Sequence, residues 1–291
     1  MGSKNLNLLW MLLQEAFSRP RLQRQPEPTA AMGDPQAIRA FHEQGSAGGA
    51  LLPVYHFNAL AASYRLPPNG TLVDLGSGSG QYLAYLAQRR PDISILGLDL
   101  AEGMVAAGQQ FLAEFGLSNR VRLQVGDMTC FSSQLPERIH LISSIFALHH
   151  LPGFDDLNRC ISEIAQVRKK SGCAVWLFDH ARPKHPRTPH LFPEIFTPDA
   201  PPVFRLDSRN SLMASFSFKE MCNALDGSSI GSMEHHCARF MRLYQVHWIT
   251  GQAACSQEPV CHLWHDEKLP PLAYRRFIAL RTLFPAVRFG Q

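Results

Sequence analysis

Short apolar runs alternate with amphipathic helical segments through the middle of this chain. Apolar runs of five or six residues are typical of strands buried on both faces, as parallel strands are. The predicted strands are Thr71–Leu75, Ile93–Leu98, Val121–Val125, His140–Ile145 and Cys173–Phe178. The predicted helices between them are Gln81–Arg89, Glu102–Phe115 and Asp155–Lys169. The pattern therefore predicts an α/β fold with a doubly wound, mostly parallel sheet and helices on both faces.

Helical periodicity also precedes the first strand. One apolar stripe near the N-terminus predicts a helix that docks on the domain or on a partner, a homodimer through this helix being one option. The stripe consists of Leu9, Leu12, Leu13 and Phe17. Residues 19–34 are rich in proline, glutamine and arginine and predict a linker. Further helices are predicted at Pro35–Gln44 and Pro53–Tyr64, and we assign residues 1–50 to an N-terminal helical extension and linker.

The regular alternation ends after the fifth strand. Residues 181–210 are rich in proline without clear periodicity, and they predict an ordered, proline-rich lid loop. Ser217 and Glu220 have the spacing of a capping box, which predicts the start of a helix. Two strands and a last helix are predicted at Ser232–Cys237, Met241–Ile249 and Pro271–Leu283. We therefore assign residues 51–250 to a central domain and residues 251–291 to a C-terminal extension.

Composition narrows the classes of partner. The 291 residues are 45% hydrophobic and 18% charged, and the net charge of +4 is spread without a dense basic run, so no nucleic-acid partner is expected. The apolar segment near the N-terminus is too short to span a bilayer, so no membrane association is expected. Seven cysteines without a C-x-x-C pair indicate reduced thiols in a cytoplasmic protein.

The sequence Asp-Leu-Gly-Ser-Gly-Ser-Gly occupies residues 74–80, and its glycine-rich turn follows the end of the first predicted strand. Alternate glycines let the backbone turn sharply and approach a ligand. Asp99 ends the second strand, where a carboxylate can accept hydrogen bonds from ribose hydroxyls. Asp127 after the third strand can accept from the amino group of an adenine, and Met128 offers an apolar contact to the ring. Since the spacing is G-x-G-x-G and not G-x-G-x-x-G, we predict an adenosine site without a pyrophosphate.

Four successive segments resemble the motifs of the class I S-adenosylmethionine-dependent methyltransferases, in particular the small-molecule group. They are Val73–Gly80, Leu96–Leu100, Val125–Met128 and Phe146–Leu151. The resemblance covers about residues 50–180 and implies a seven-stranded, Rossmann-like sheet with an antiparallel last strand. It implies S-adenosylmethionine as cofactor, a small molecule as acceptor, and glycines close to the methionine part. The cofactor-binding residues that it implies are Asp74, Gly76, Ser77, Gly78, Gly80, Asp99, Leu100, Met104, Asp127, Met128, Ser144 and Ile145.

Methyl transfer asks mainly for positioning and desolvation, and needs a general base only when the nucleophile arrives protonated. Asp179 and His180 are candidate catalytic residues because they end the fifth strand, where ligands of open α/β sheets bind. Tyr55, on the helix before the glycine turn, is a third candidate, although a place in the core explains it equally well. His150 is the fourth, and for the His149-His150 pair a structural role is favoured over a catalytic one.

No metal site is predicted. The richest groups of ligand-type residues are His235-His236-Cys237 and Cys261-His262-x-x-His265, and neither has the paired spacing of a structural zinc site. Alternation along a strand also places His235 and His236 on opposite faces.

Other functions stay open at this point. An amine, including the cofactor's own α-amine, could attack the aminobutyrate carbon of S-adenosylmethionine, releasing methylthioadenosine and, in the intramolecular case, closing an azetidine-2-carboxylate ring. The chain could also be a non-catalytic cofactor-binding scaffold, although the intact glycine turn and both adenosine acids argue against it. Nucleic-acid methyltransferases can bind the amine of a flipped base with an Asp/Asn-Pro-Pro-aromatic sequence at the end of the fourth strand. This chain has Ser143-Ser144-Ile145-Phe146 there, which disfavours a nucleic-acid methyltransferase.

Overall fold

Seven strands form one sheet at the centre of the computed structural model, which describes residues 3–27, 35–45, 49–252 and 269–287. The strands are β1 (Thr71–Leu75), β2 (Ser94–Asp99), β3 (Val121–Val125), β4 (Leu141–Ile145), β5 (Ala174–His180), β6 (Glu234–Cys237) and β7 (Tyr244–Ile249). Their order in space is β3-β2-β1-β4-β5-β7-β6. The first five strands run parallel and β7 is antiparallel to β5 and β6. The predicted doubly wound sheet with an antiparallel last strand is confirmed.

Helices cover both faces of the sheet, because parallel strands leave apolar side chains on both. The helices are α1 (Ser3–Phe17), α2 (Pro35–Gly45), α3 (Leu52–Ser63), α4 (Gln81–Arg89), α5 (Glu102–Glu114), α6 (Phe154–Ser171), α7 (Thr188–Phe196), α8 (Pro202–Ala214), α9 (Phe218–Asp226) and α10 (Pro271–Leu283). Helices α3, α4, α5 and α10 share one core with the sheet, around Phe57 and Trp176. Helices α6 and α9 share the other, around Ile161 and Met221. The Cys261-His262-x-x-His265 group lies outside the described residues.

The order of the strands decides where a ligand can bind. Chain connections leave in opposite directions from β1 and β4, which are neighbours in the sheet. A crevice opens outside the carboxyl ends of parallel strands at such a switch point. The glycine turn after β1, Asp99 at the end of β2 and Phe146 after β4 all lie at this edge.

Helix α1 docks on the domain through one face and leaves most of the predicted apolar stripe exposed. Leu9, Leu13 and Phe17 are exposed, whereas Met11 and Glu15 are buried. Met11 packs with Phe192, Leu212 and Leu243. The predicted stripe therefore does not dock on the domain, and docking on a partner, the other expected role, stays a prediction. Among the described residues, no helix has the length and apolar character needed to cross a membrane.

The buried carboxylate of Glu15 joins α1 to α7. It accepts hydrogen bonds from the backbone N–H groups of Lys184 at 2.8 Å and His185 at 3.1 Å, and from the hydroxyl of Thr188. These donors precede or open α7, where the orphan N–H groups and the helix dipole favour an anion. The apolar pattern of α1 does not show this role, because the partners of Glu15 come from a distant part of the chain.

The segment predicted as a linker is ordered through residue 27; its remainder, residues 28–34, lies outside the described residues. We call residues 18–27 the strap. Its Arg24 guanidinium lies 4.0 Å over the Phe216 ring and donates to four backbone carbonyls. Those carbonyls belong to His149, Leu151, Pro152 and Ala214. The strap therefore ties the turn after β4 to the end of α8.

Residues 181–210 form two helices, α7 and most of α8, where a proline-rich loop was predicted. Proline is compatible with the first turn of a helix, because that turn has no intrahelical partner for the missing N–H. Pro189 and Pro202 occupy such positions in α7 and α8. We call α7 and α8 the lid helices, since Phe192 and Phe204 on them line the cavity described below.

Candidate active site

The glycine turn takes the backbone through conformations that favour glycine. Gly76, Gly78 and Gly80 have φ values of 72°, 54° and 71°. A Cβ on Gly76 would lie 2.3 Å from Cβ of Ala147, whereas a Cβ on Gly78 would meet nothing within 4 Å. Gly76 therefore permits close packing against the chain after β4, and Gly78 borders open space.

The first amides of this turn bind the protein itself. The N–H groups of Gly76 and Ser77 donate to the carbonyl of Leu98 at 2.7 and 3.0 Å. The N–H of Gly78 donates to Oδ2 of Asp99 at 2.7 Å. The turn therefore fixes the end of β2, and these three amide N–H groups are already used within the protein.

A cavity of about 690 Å³ opens at this edge of the sheet. Ten of the twelve predicted cofactor-binding residues line it: Asp74, Gly76, Ser77, Gly78, Asp99, Leu100, Met104, Asp127, Met128 and Ile145. Gly80 does not line it, because this glycine begins α4 and faces the Leu123 side chain. Ser144 does not line it either, since its hydroxyl is buried and donates to the carbonyl of Leu75 at 2.9 Å.

Asp99 is held in place from both sides. Oδ2 accepts from the Gly78 N–H, and Oδ1 accepts from the Ala101 N–H at 2.9 Å. Each carboxylate oxygen has a second lone pair, so a ligand with two neighbouring hydroxyls can still bind here. Asp127 is similar, because its Oδ1 accepts from the Thr129 N–H at 2.7 Å and the carboxylate still lines the cavity.

Asp74 is a buried acid at the other side of the glycine turn. Burial raises the pKa of Asp74 to about 8, although a hydrogen bond from Ser143 opposes the shift and the nearby charge of Asp99 adds to it. Oγ of Ser143 donates to Oδ1 of Asp74 at 2.5 Å. Sequence reasoning selected Ser144 and missed Ser143, which is directly opposite Asp74 in the β1–β4 pairing. The alternation of side chains along β4 was the available signal.

His149, for which a structural role was favoured, lines the cavity, and the predicted Asp179 does not. Nδ1 of His149 lies 2.6 Å from Oδ1 of Asp179, and Oδ2 accepts from the His149 backbone N–H at 2.9 Å. Nε2 of His149 is buried and has no hydrogen-bond partner among the described residues. The Asp179 carboxylate therefore holds the His149 ring through Nδ1, and His149 borders the cavity.

The charges around His149 set its protonation. Burial disfavours the charged ring, but the charge and hydrogen bond of Asp179, with a contribution from Glu27, outweigh it, so the pKa of His149 is raised. Burial likewise opposes ionisation of Asp179, yet His149 holds the pKa of that carboxyl below its ordinary value.

Glu27 of the strap is a functional candidate that sequence reasoning missed. Its Oε2 lies 2.7 Å from Nδ1 of His150, its Oε1 accepts from the Ser211 hydroxyl at 2.8 Å, and Oε1 is 3.9 Å from Nε2 of His149. Burial opposes its charge, but the hydrogen bond and charge of His150, with His149, lower the pKa of Glu27 to about 2. Ligand atoms of Glu27, His149 and His150 lie within 4.8 Å of one another, close enough to share a metal ion.

Aromatic rings form the wall beside this histidine group. His180 stacks on Phe146 with ring centroids 4.4 Å apart and on Tyr244 at 5.3 Å. Burial, with the neighbouring His149, lowers the pKa of His180 to about 3, so its ring is neutral. Tyr55 also lines the cavity, and burial raises the pKa of its hydroxyl. Three of the four predicted catalytic residues, Tyr55, His150 and His180, therefore border the cavity.

The residues present fit S-adenosylmethionine. Asp99 and Asp127 offer carboxylate acceptors at the ends of adjacent strands, and Met128, which follows Asp127, adds an apolar surface to the cavity wall. The space over Gly78 is open, and Oγ of Ser77 is buried without a hydrogen-bond partner among the described residues. Buried polar atoms without partners are rare in folded proteins and favour a site completed by a ligand.

Comparison with known proteins agrees with this geometry. Residues 72–172 match the family described as a methyltransferase domain. Over 106 residues, 36% of this chain, the protein is 27% identical to 42% of a demethylmenaquinone methyltransferase of Bacteroides fragilis. Over 86 residues, 29% of this chain, it is 38% identical to 30% of a trans-aconitate 2-methyltransferase of Deinococcus radiodurans. The chain matches less than half the length of these curated relatives.

Solved structures show the same fold at low sequence identity. The plantazolicin methyltransferase BpumL, solved with a desmethyl-plantazolicin analogue and S-adenosylhomocysteine, matches 86% of this chain and 100% of its own, with a TM-score of 0.57 and 13% identity. A S-adenosylmethionine-dependent methyltransferase of Aquifex aeolicus matches 74% of this chain and 97% of its own, with a TM-score of 0.50 and 15% identity.

Fold and site together define a Rossmann-like domain that binds an adenosine-containing cofactor without a pyrophosphate. Residues 72–172 match the methyltransferase-domain family, and the residues that line the cavity fit S-adenosylmethionine as the cofactor. The expected family and cofactor are confirmed.

Proposed function

We propose that this protein transfers the methyl group of S-adenosylmethionine to a small molecule. One observation carries the proposal: Asp99, Asp127 and His149 line the same cavity, and Asp179 holds the His149 ring from behind. Pockets of this size hold small molecules. Bound S-adenosylmethionine supplies a methyl group on a positively charged sulfur.

The residues around the cavity can supply positioning, desolvation and a base. The rings of Phe146, His180 and Tyr244 form a packed wall that excludes water from the reacting groups. Nε2 of His149 can accept a proton from a hydroxyl or amine of the acceptor. Asp179 holds the ring in the required tautomer and stabilises the charge that forms. The raised pKa of His149 means that this base becomes available as the pH rises.

Charge and lining narrow the acceptor class. The lid helices contribute Phe192, Phe196 and Phe204 to the cavity, which favours a flat or apolar acceptor. Glu27 and Asp207 line the same end, and burial, with the charge of Glu27, raises the pKa of Asp207 to about 6. Acidic groups there disfavour anionic acceptors. We therefore propose an uncharged or cationic molecule with a hydroxyl or amine, closer in polarity to demethylmenaquinone than to trans-aconitate, the substrates in the relatives' names.

Product analysis tests this function. The purified protein is incubated with S-adenosylmethionine alone and then with a panel of phenols, quinols and aromatic amines, and products are identified by mass spectrometry. We expect S-adenosylhomocysteine and a methylated product only when an acceptor is present. Methylthioadenosine formed without an acceptor would contradict methyl transfer, because it requires attack on the aminobutyrate carbon. Asp155 is exposed on α6, so Asp155→Asn should form the same products as wild type and is the control for substitutions of acids in the cavity.

We also propose that a second copy of the chain covers the exposed face of α1, and that the protein works in the cytoplasm. The exposed face carries Leu6, Leu9, Trp10, Leu13 and Phe17. Contiguous apolar faces of this kind typically mark interfaces. Light scattering after size exclusion should give a dimer for the wild type and a monomer for Trp10→Glu; a wild-type monomer at micromolar concentration would contradict the dimer.

The proposed location in the cytoplasm is supported by the cysteines. All five cysteines in the described residues carry free thiols, which favours a reducing compartment.

A further inference from the structure

Three metal-ligand side chains converge on the sheet edge away from the cavity. His235 on β6 and His247 on β7 are directly paired across the two strands, so both side chains lie on one face. Cys222 lies on α9, and its sulfur and one nitrogen of each histidine are all within 4.8 Å of one another. No pair of these residues is close in sequence, which explains why local spacing did not reveal the group.

Hydrogen bonds fix the tautomer of His247. The amide nitrogen of Gln245 donates to the carbonyls of His180 at 2.8 Å and Phe216 at 2.9 Å, so its oxygen is the atom that faces His247. That oxygen lies 3.1 Å from Nε2 of His247 and can only accept. Nε2 of His247 therefore carries the proton, and Nδ1 presents a lone pair. Burial, with the charge of His235, lowers the pKa of His247 to about 3, so the ring stays neutral.

His235 is oriented in the same way by a carboxylate. Its Nε2 lies 3.0 Å from Oδ1 of Asp226, which favours a proton on Nε2. Nδ1 of a neutral His235 then presents its lone pair toward Nδ1 of His247, only 2.7 Å away. Two lone pairs at this distance repel each other, so a proton or a cation has to lie between them. A shared proton would require His235 to be a charged imidazolium.

We propose that a zinc ion binds Cys222 Sγ, His235 Nδ1 and His247 Nδ1, with a fourth position open to water. One thiolate and two imidazoles form a donor set that suits zinc. Zinc-to-nitrogen bonds of about 2.0–2.1 Å in a tetrahedron set the two nitrogens roughly 3.3 Å apart. The rings therefore have to separate by about 0.6 Å from their 2.7 Å contact, which a rotation of His235 on the edge strand can supply.

The surroundings match those of zinc sites. Histidine ligands in such sites usually donate their other N–H to a carboxylate or carbonyl, as His235 does to Asp226 and His247 does to Gln245. Burial, with the nearby Asp226 and Cys237, raises the pKa of the Cys222 thiol to about 11. Zinc binding therefore displaces a proton from Cys222, and the affinity should rise with pH. The ion would join α9 to the antiparallel edge of the sheet.

Neighbouring residues provide matched controls. Cys237 follows His235 by two residues on β6 and shares its face, but it is not among the converging ligands. His236 points to the opposite face, where it stacks on Trp248 at 4.7 Å. His150 belongs to the separate group with Glu27 in the cavity. Cys237→Ser, His236→Gln and His150→Gln should therefore leave the zinc site intact.

The full-length protein is tested as purified, and again after chelation and titration with Zn²⁺ and Co²⁺. We expect one zinc per chain by elemental analysis, and a thiolate-to-cobalt charge-transfer band after Co²⁺ addition. Cys222→Ser should abolish the band, and His247→Gln should weaken Zn²⁺ binding at least tenfold, while the three control variants should bind Zn²⁺ with wild-type affinity.

Several outcomes would overturn the proposal. They are a wild-type protein that binds no Zn²⁺, a charge-transfer band that persists in Cys222→Ser, and zinc content that falls in His150→Gln. Circular dichroism checks that each variant is folded. Should Cys222→Ser unfold, His235→Gln on the partly exposed edge strand replaces it, with the same expected loss of tenfold or more in affinity.

Discussion

Replacing Asp99 probes the adenosine half of the site. Its carboxylate is the partner of two backbone N–H groups, Gly78 and Ala101, and retains lone pairs for two ribose hydroxyls. A hydrogen bond to a charged group contributes roughly 1.5–3 kcal/mol. Asp99→Ala should therefore weaken S-adenosylhomocysteine binding by about 2 kcal/mol, or roughly 30-fold in Kd. Asp99→Asn should weaken it less, because one oxygen remains an acceptor.

Isothermal titration calorimetry with S-adenosylhomocysteine measures both variants. Asp99→Ala also leaves the Gly78 and Ala101 N–H groups without their acceptor, so thermal unfolding is measured first and the titration is performed well below both midpoints. Asp155→Asn, an exposed acid on the same domain, is the control and should bind like wild type. A folded Asp99→Ala protein whose Kd lies within twofold of wild type would refute the ribose-binding role.

Three further predictions concern buried acids. Asp74→Asn should stabilise the cofactor-free protein by about 1–3 kcal/mol above pH 7. The pKa of the folded Asp74 carboxyl is raised to about 8, so this group lowers the free energy of unfolding as the pH rises above its pKa in the unfolded chain. The variant should also weaken binding of S-adenosylmethionine, and chemical unfolding that shows no gain in stability would contradict the prediction. Glu27→Gln should lower the pKa of His149, measured by histidine NMR, and should destabilise the fold more near pH 6 than near pH 9. The reason is that the raised pKa of His149 stabilises the fold below the pKa of the unfolded histidine, and this stability is lost as the pH rises through the pKa of the folded histidine. An unchanged His149 titration would show that Glu27 does not act on it. Glu15→Gln should lower the free energy of unfolding by about 1–3 kcal/mol, because an amide cannot accept all three hydrogen bonds from the start of α7; stability equal to wild type would rule out that role.

The central domain could be predicted because its information is local. Buried parallel strands are apolar along their whole length, and helices between them keep one apolar stripe, so β1 to β5 are within one or two residues of their predicted positions. Asp99 and Asp127 follow strands whose carboxyl ends share one edge, which placed them together without knowledge of any distant contact.

The features that could not be predicted depend on contacts between distant segments. Glu15 is buried because the start of α7 offers it donors, which no periodicity in α1 can show. Glu27 looked like part of a linker, yet it borders the cavity beside His149 and His150. Asp179 ends the expected strand but points to His149 and away from the cavity, because the tight turn after β4 brings that histidine against it.

The structure of a complex with S-adenosylhomocysteine tests the central claim most directly. Our account predicts ribose hydroxyls on the Asp99 carboxylate, the adenine beside Asp127 and Met128, and the sulfur directed toward the end of the cavity that holds His149. Nucleoside density at the lid helices, or a ligand bound outside this cavity, would contradict it.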